Sequence, residues 1–226
     1  RSFQGTFVYE RNGSFSTHGI WHSVLDGNTR ERLMQLDGAT QEVVRSDGRT
    51  DCVGGKTISG LGKVSVAAPR KFDAQKLINW YSVAKTGDSR VAGRPVEVIT
   101  LTPRDQHRYG FELYLDSETG VTLKSLLLND KGQLLERFQF ITFDPAAPSE
   151  SQLKPTARCL PVVASNTSAS APKSSQIWHS DWLPPGFELV ASAVTRDPQT
   201  KSEVTNLLYD DGLTRFSVFL EPLLGA

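Results

Sequence analysis

The stretch LLERFQFITF, residues 134–143, decides the fold. Strand alternation places Leu134, Phe138 and Phe140 on one face and Leu135, Ile141 and Phe143 on the other. An antiparallel strand with one wet face would alternate apolar with polar, so apolar residues on both sides mean that both faces of this sheet are covered. One cover can be a helix predicted over Asp73 to Val83, where Leu77, Trp80 and Tyr81 recur at spacings of three and four and Gly87 lies beyond the end. The other cover can be the concave interior of a curved, partly closed sheet, roomy enough for an apolar ligand, or a solidly packed core. Pattern alone leans towards the packed core.

Outward from that strand the chain reads as a meander. Phe3, Phe7 and Tyr9 share a face of the first strand, Asn12-Gly13 turns, and Phe15 to Leu25 returns. Asp26-Gly27, Asp37-Gly38 and Asp47-Gly48 supply further turns. Beyond the helix, strands are predicted at Val91 to Leu101, Tyr109 to Leu115, Val121 to Leu128 and Leu134 to Phe143. Residues 144–177 change character, with Pro145, Pro148, Pro155, Pro161 and Pro172 among Ser and Ala, and read as a linker. Residues 178–226 follow as a small module: Trp178 and Trp182, the rigid Leu183-Pro184-Pro185-Gly186 turn, and three strands turned at Asp197-Pro198 and at Asp210 to Gly212. The fold class is therefore α+β and mostly antiparallel β: a large curved sheet domain over residues 1–143 and a small C-terminal β domain.

Twenty-five basic and twenty-five acidic side chains cancel, which argues against nucleic acid as a partner. The balance is local: residues 1–143 carry net plus 3 and residues 178–226 net minus 4, which suits two lobes that attract each other or an anionic ligand on the first. Scatter in surface charge explains it equally well. Apolar runs such as Leu126 to Leu128 fall far short of the ~18 residues of a membrane-spanning helix. Cys52 and Cys159 show no metal-ligand spacing. They are either two free thiols or a bridge that the chain-entropy account credits with roughly 4 to 5 kcal/mol.

Catalytic patterns are absent by inspection. Gly54-Gly55-Lys56-Thr57 lacks the first glycine of a phosphate loop, since Thr50 stands in its place. His18 and His22 would lie ~13 Å apart along a strand, too far to share a metal. Asp105 and His107 have no serine elbow beside them. His179, between the tryptophans, reads as a packing or capping residue. The chain is read as a binding protein with no cofactor and no metal.

Several blocks, in order, carry a resemblance: Gly5-Thr6-Phe7-Val8-Tyr9, Arg90-Val91-Ala92-Gly93-Arg94, Pro103-Arg104-Asp105 with Arg108-Tyr109-Gly110, Leu115-Asp116 with Thr119-Gly120, Leu123-Lys124-Ser125, and Leu135 to Phe140. In the last module, Leu183-Pro184-Pro185-Gly186-Phe187, Asp211-Gly212-Leu213 and Phe216-Ser217-Val218-Phe219 continue it. Together they resemble the MucB/RseB family of periplasmic regulators. The resemblance implies a larger domain like the LolA/LolB lipoprotein carriers, an unclosed barrel with a helix-lined apolar cavity, which turns the expectation from a packed core to a hollow. It implies a partner, the periplasmic segment of a MucA/RseA-type anti-sigma factor shielded from proteolysis, and its release by lipid or lipopolysaccharide. The family pattern also has a helix before the first strand and continues past Ala226, so the C-terminal module is expected to be incomplete.

On that reading Phe7, Trp21, Leu113, Leu115, Leu123, Phe138 and Phe140 are cavity candidates, and Arg90, Arg94, Arg104 and Arg108 are candidates for an anionic headgroup. Trp182, Phe187, Phe216 and Phe219 are candidate anchors for the protein partner, with ordinary core packing the competing role for the last two. A homodimer is compatible with all of this. The alternative is a LolA/LolB-type carrier that hands its lipid onward.

Overall fold

The computed structural model describes residues 1–55, 74–162, 180–196 and 202–221. Asp73 at the start of the predicted helix, the linker heart at Asn166 to Ser175, Trp178, His179 and the Asp197-Pro198 turn lie outside the described residues.

The first meander runs β1 (Phe3–Arg11), β2 (Ser14–Leu25), β3 (Asn28–Gln35), β4 (Glu42–Ser46) and β5 (Arg49–Gly54). A short helix, α1 (Ala74–Trp80), leads into a second meander: β6 (Tyr81–Val91), β7 (Arg94–Pro103), β8 (Gly110–Asp116), β9 (Thr122–Leu128) and β10 (Leu134–Asp144). Then come α2 (Glu150–Leu153) and the two-residue β11 (Leu160–Pro161). Antiparallel pairing of β1 with β10 joins the meanders into one eleven-stranded sheet, in the order β11-β5-β4-β3-β2-β1-β10-β9-β8-β7-β6. A separate three-stranded sheet holds β12 (Glu188–Arg196), β13 (Glu203–Asp210) and β14 (Arg215–Leu220).

The large sheet is curled. Phe7 of β1 and Val91 of β6 belong to one buried cluster with Val96, Leu123 and Phe140. Five strand spacings separate β1 from β6 in the sheet, which in a flat sheet is ~24 Å. The ends remain unclosed: β6 bounds one side, and β5, capped by β11, the other.

Pairing register sorts the faces. Tyr9, Phe138, Ser125, Leu113 and Ile99 stand opposite one another across five strands, with Phe7 and Phe140 in the next such row. Helix α1 lies on this inner face, where Leu77 and the adjoining Tyr81 pack with Leu101, Ile99, Phe111 and Leu113. The outer face carries the row Gln4, Trp21, Arg32, Val44 and Cys52.

Three sequence expectations need correction. The helix stops at Trp80, and Tyr81 already belongs to β6. The strand expected from Val91 to Leu101 straddles a hairpin turn at Ala92-Gly93, both at positive φ (48° and 76°), as a type I′ turn demands. Gly87, expected past a helix end, sits at a bulge in β6.

The parity of β10 also breaks. An extra residue lies between Phe140, opposite Phe7, and Thr142, opposite Thr6, so Ile141 bulges out and is 53% exposed. Phe143 consequently swings back to the side of Phe140, ring centroids 5.2 Å apart, instead of facing away from it.

Residues 144–162, grouped with the linker by composition, are seated on the outer face. Ser149 and Gln152 close a capping box on α2, and Gln152 donates from Nε2 to Gln4. The Gln152 carbonyl accepts from Arg32, and Thr156 meets Glu42. Cys159 is disulfide-bonded to Cys52, 107 residues away in sequence, while β11 pairs with β5. The outer cover of the first meander is thus chain that its prolines disguise as linker.

Candidate functional site

On the inner face, Phe7 is held between β2 and β10. Its ring stacks on His18 at 5.1 Å and meets Phe138 at 4.7 Å and Phe140 at 5.8 Å. Phe3 stacks on His22 at 4.9 Å and reaches Phe140 and Phe143. Leu123 is fully buried in the same cluster. Leu113 faces α1, and Leu115 shares its side of β8. Six of the seven cavity candidates therefore lie together on or against one lining. Trp21 is the exception: register puts it on the outer face, with the Arg32 guanidinium 5.0 Å from its ring centroid.

Sequence reasoning missed the polar row beside these rings. His22, Glu31 and Arg45 stand opposite one another across β2, β3 and β4, with Glu31 3.3 Å from each partner. The hydrogen bond with His22 holds the Glu31 carboxyl below its ordinary pKa, outweighing burial, which acts upward. Burial pushes His18 down, and its Nε2 lies 2.8 Å from Ser16 Oγ. The signal was available as even-numbered histidines on β2 in phase with Ile20.

The four arginines do not converge. Arg94 grips Asp116 with two bonds of 2.6 and 3.0 Å and also reaches Glu118. Arg90, exposed, donates to the Gly93 carbonyl at the β6–β7 turn, and Arg104, also exposed, sits at the far end of that hairpin. Arg108 is removed from solvent entirely, its side chain 0% exposed. Of the four headgroup candidates, two are engaged by buried carboxylates and the other two are a strand's length apart.

Arg108 instead joins the two lobes. Its Nε donates to Asp105 at 2.9 Å, one terminal nitrogen donates to Asp211 at 2.7 Å, and the other donates to the Pro185 carbonyl. The guanidinium lies 5.0 Å from the Trp80 ring centroid, 5.9 Å from Tyr81 and 5.1 Å from Phe187. Beside it the Tyr81 hydroxyl meets Thr214 at 3.3 Å, and Leu213 packs against α1. Burial pushes the Tyr81 phenol up to about 12.

The partner candidates divide. Phe187 and Phe216 are core, 5.1 Å apart, with Phe216 stacked on Tyr209. Trp182 and Phe219 are 61% and 63% exposed. Trp182 meets His107 of the larger lobe at 5.1 Å. A cleft of about 610 Å³ opens next to this junction, lined by Leu101, Arg108, Tyr109, Phe111 and Leu128 among others. A second, of about 330 Å³, lies beside Trp21 and Gln4. Neither is lined by the aromatic cluster of Phe7, Phe138 and Phe140.

Comparison with known proteins follows the same two-lobed division. Residues 1–157 match the MucB/RseB N-terminal domain, and residues 172–225 match the MucB/RseB C-terminal domain. The sigma factor AlgU regulatory protein MucB of Pseudomonas aeruginosa is 58% identical over 227 residues, which cover 100% of this chain and 71% of that protein. The sigma-E factor regulatory protein RseB of Escherichia coli is 30% identical over 204 residues, 87% of this chain and 64% of RseB. The solved complex of Pseudomonas aeruginosa MucA and MucB matches with a TM-score of 0.86 at 57% identity, covering 100% of this chain and 76% of that one. A crystal structure of MucB matches at 0.75 and 56% identity, covering 96% and 73%.

Proposed function

The chain belongs to the MucB/RseB family, and from that membership we propose that it is a periplasmic negative regulator of sigma-factor signalling, one that holds the periplasmic segment of a MucA-type anti-sigma factor and shields it from its first protease. One observation carries this reading: the whole chain, both lobes included, superposes on MucB within the MucA/MucB complex. The Cys52–Cys159 disulfide suits an oxidising compartment. Of the four partner candidates, Trp182 and Phe219 are exposed and can anchor a protein partner.

Lipid is the releasing signal in this reading. Phe7, Leu123, Phe138 and Phe140 offer an apolar surface, and each buried methylene of an acyl chain contributes roughly 0.8 kcal/mol. Because these side chains are already packed together, a ligand must rearrange the lobe to enter. Release follows if that rearranged state holds the anti-sigma segment more weakly than the packed one does.

The test mixes the purified anti-sigma segment with its protease and follows cleavage by gel. Addition of this protein is expected to lengthen the cleavage half-time at least tenfold, and lipopolysaccharide to restore it. Cleavage at the same rate with and without the protein would refute the shielding role.

A further inference from the structure

We propose that α1 and Arg108 form a latch that couples the inner face of the larger lobe to the C-terminal module, so that an acyl chain entering the first loosens the second. The idea rests on the lipid-release reading above and deepens it by naming the coupling element.

Leu77 and Tyr81 are 2% and 0% exposed, and they press α1 and the start of β6 onto Leu101, Ile99, Phe111 and Leu113. Leu101 and Phe111 also line the cleft at the junction, so a ligand seated there that pushes on towards half-buried Leu113 has to lift α1 from it. The same short segment holds the other lobe. Leu213 packs against Leu77 and Tyr81, the Tyr81 hydroxyl bonds Thr214, and Trp80 fills the space over Gly186. Gly186 has φ +86°, and a Cβ there would run into the Trp80 indole, so the Pro185-Gly186 turn is shaped around that ring. Arg108 completes the latch from β8's approach loop, pairing with Asp211 at a site both side chains close off from water. Lifting α1 thus withdraws Trp80 and Tyr81 from the guanidinium and strips one face from a buried ion pair, which water then enters. A segment of eight residues, Ala74 to Tyr81, cannot leave one lobe and keep its grip on the other.

Reciprocity supplies the test, because loosening the latch must favour the ligand by the same factor by which the ligand loosens the latch. The probe is laurate, titrated into the whole chain by calorimetry. Asp211→Asn keeps an oxygen for the Leu213 and Thr214 amides and removes the charge that Arg108 faces. It is expected to bind laurate about tenfold tighter than the unaltered protein, within the usual range of coupling. For the opposite sign, His107→Cys with Trp182→Cys, an exposed pair across the junction, is joined by a short bismaleimide. The joined form is expected to bind laurate about tenfold more weakly than the same variant capped with N-ethylmaleimide. If Asp211→Asn fails to fold, the joined and capped pair decides alone. Equal affinity in all forms, with laurate bound, overturns the latch and leaves the lipid reading intact. No laurate binding by any form, the unaltered protein included, overturns both.

Discussion

Asp116 ends β8 with its carboxylate fully taken: Arg94 donates twice, and the Thr119 amide and hydroxyl donate at 2.9 and 2.8 Å. The hydrogen bond from Arg94, with those from Thr119, overrides burial and lowers its pKa to about 2. The unfolded chain takes up this proton near pH 4, whereas the folded one refuses it until about 2, so the stabilisation is complete above pH 4 and disappears as the pH falls through that window. Asp116→Asn is expected to lower stability at pH 7 by on the order of 1–2 kcal/mol and to flatten the loss between pH 4 and 2, read from urea midpoints across pH. As sequence, Arg94 and Arg108 are candidates for an anionic headgroup. What they could not disclose is that Asp116 and Asp211, 22 and 103 residues further on, already occupy them.

At the scale of elements, the turns at Asn12-Gly13, Asp26-Gly27 and Asp47-Gly48 were legible because those residue pairs accept positive φ, and they locate the β1–β2, β2–β3 and β4–β5 hairpins. The Ala92-Gly93 hairpin was hidden by an alanine at φ 48°, which an L residue visits at a cost of about 1–2 kcal/mol. β6 escaped notice for a related reason: as a border strand most of its side chains are exposed, so it lacks the apolar alternation that marks buried strands. The cavity candidates rest on the family resemblance, and Trp21 parts from the others because the β1–β2 register, not its own hydrophobicity, assigns its face. α2, β11 and the bridge belong to the same lesson, because proline content describes stiffness and says nothing about what a stiff segment lies against. Cys52→Ser with Cys159→Ser is expected to cost about 3–5 kcal/mol, seen as a fall in the guanidinium midpoint, by freeing a loop of more than a hundred residues in the unfolded chain.

Over the whole molecule, the two lobes carry net plus 3 and net minus 4, and Arg108 from the first is buried together with Asp211 from the second. A junction built on one such pair and a few rings should hold the lobes in a single cooperative unit only while it is intact. Asp211→Asn is accordingly expected to split one calorimetric unfolding peak into two, and a single unshifted peak would show that the lobes are joined by other means. The seam between β1 and β10 has a further consequence for how the molecule comes into being. A chain delivered from its first residue presents Phe3 to Arg11 early, yet their neighbour on one side, Leu134 to Asp144, arrives more than a hundred residues later, and Cys159 later still. The opening hairpins must wait half-finished, their greasy edge uncovered, until the second meander docks and the bridge locks it, so maturation of this sheet is slow by construction and leans on whatever guards nascent chains against sticking.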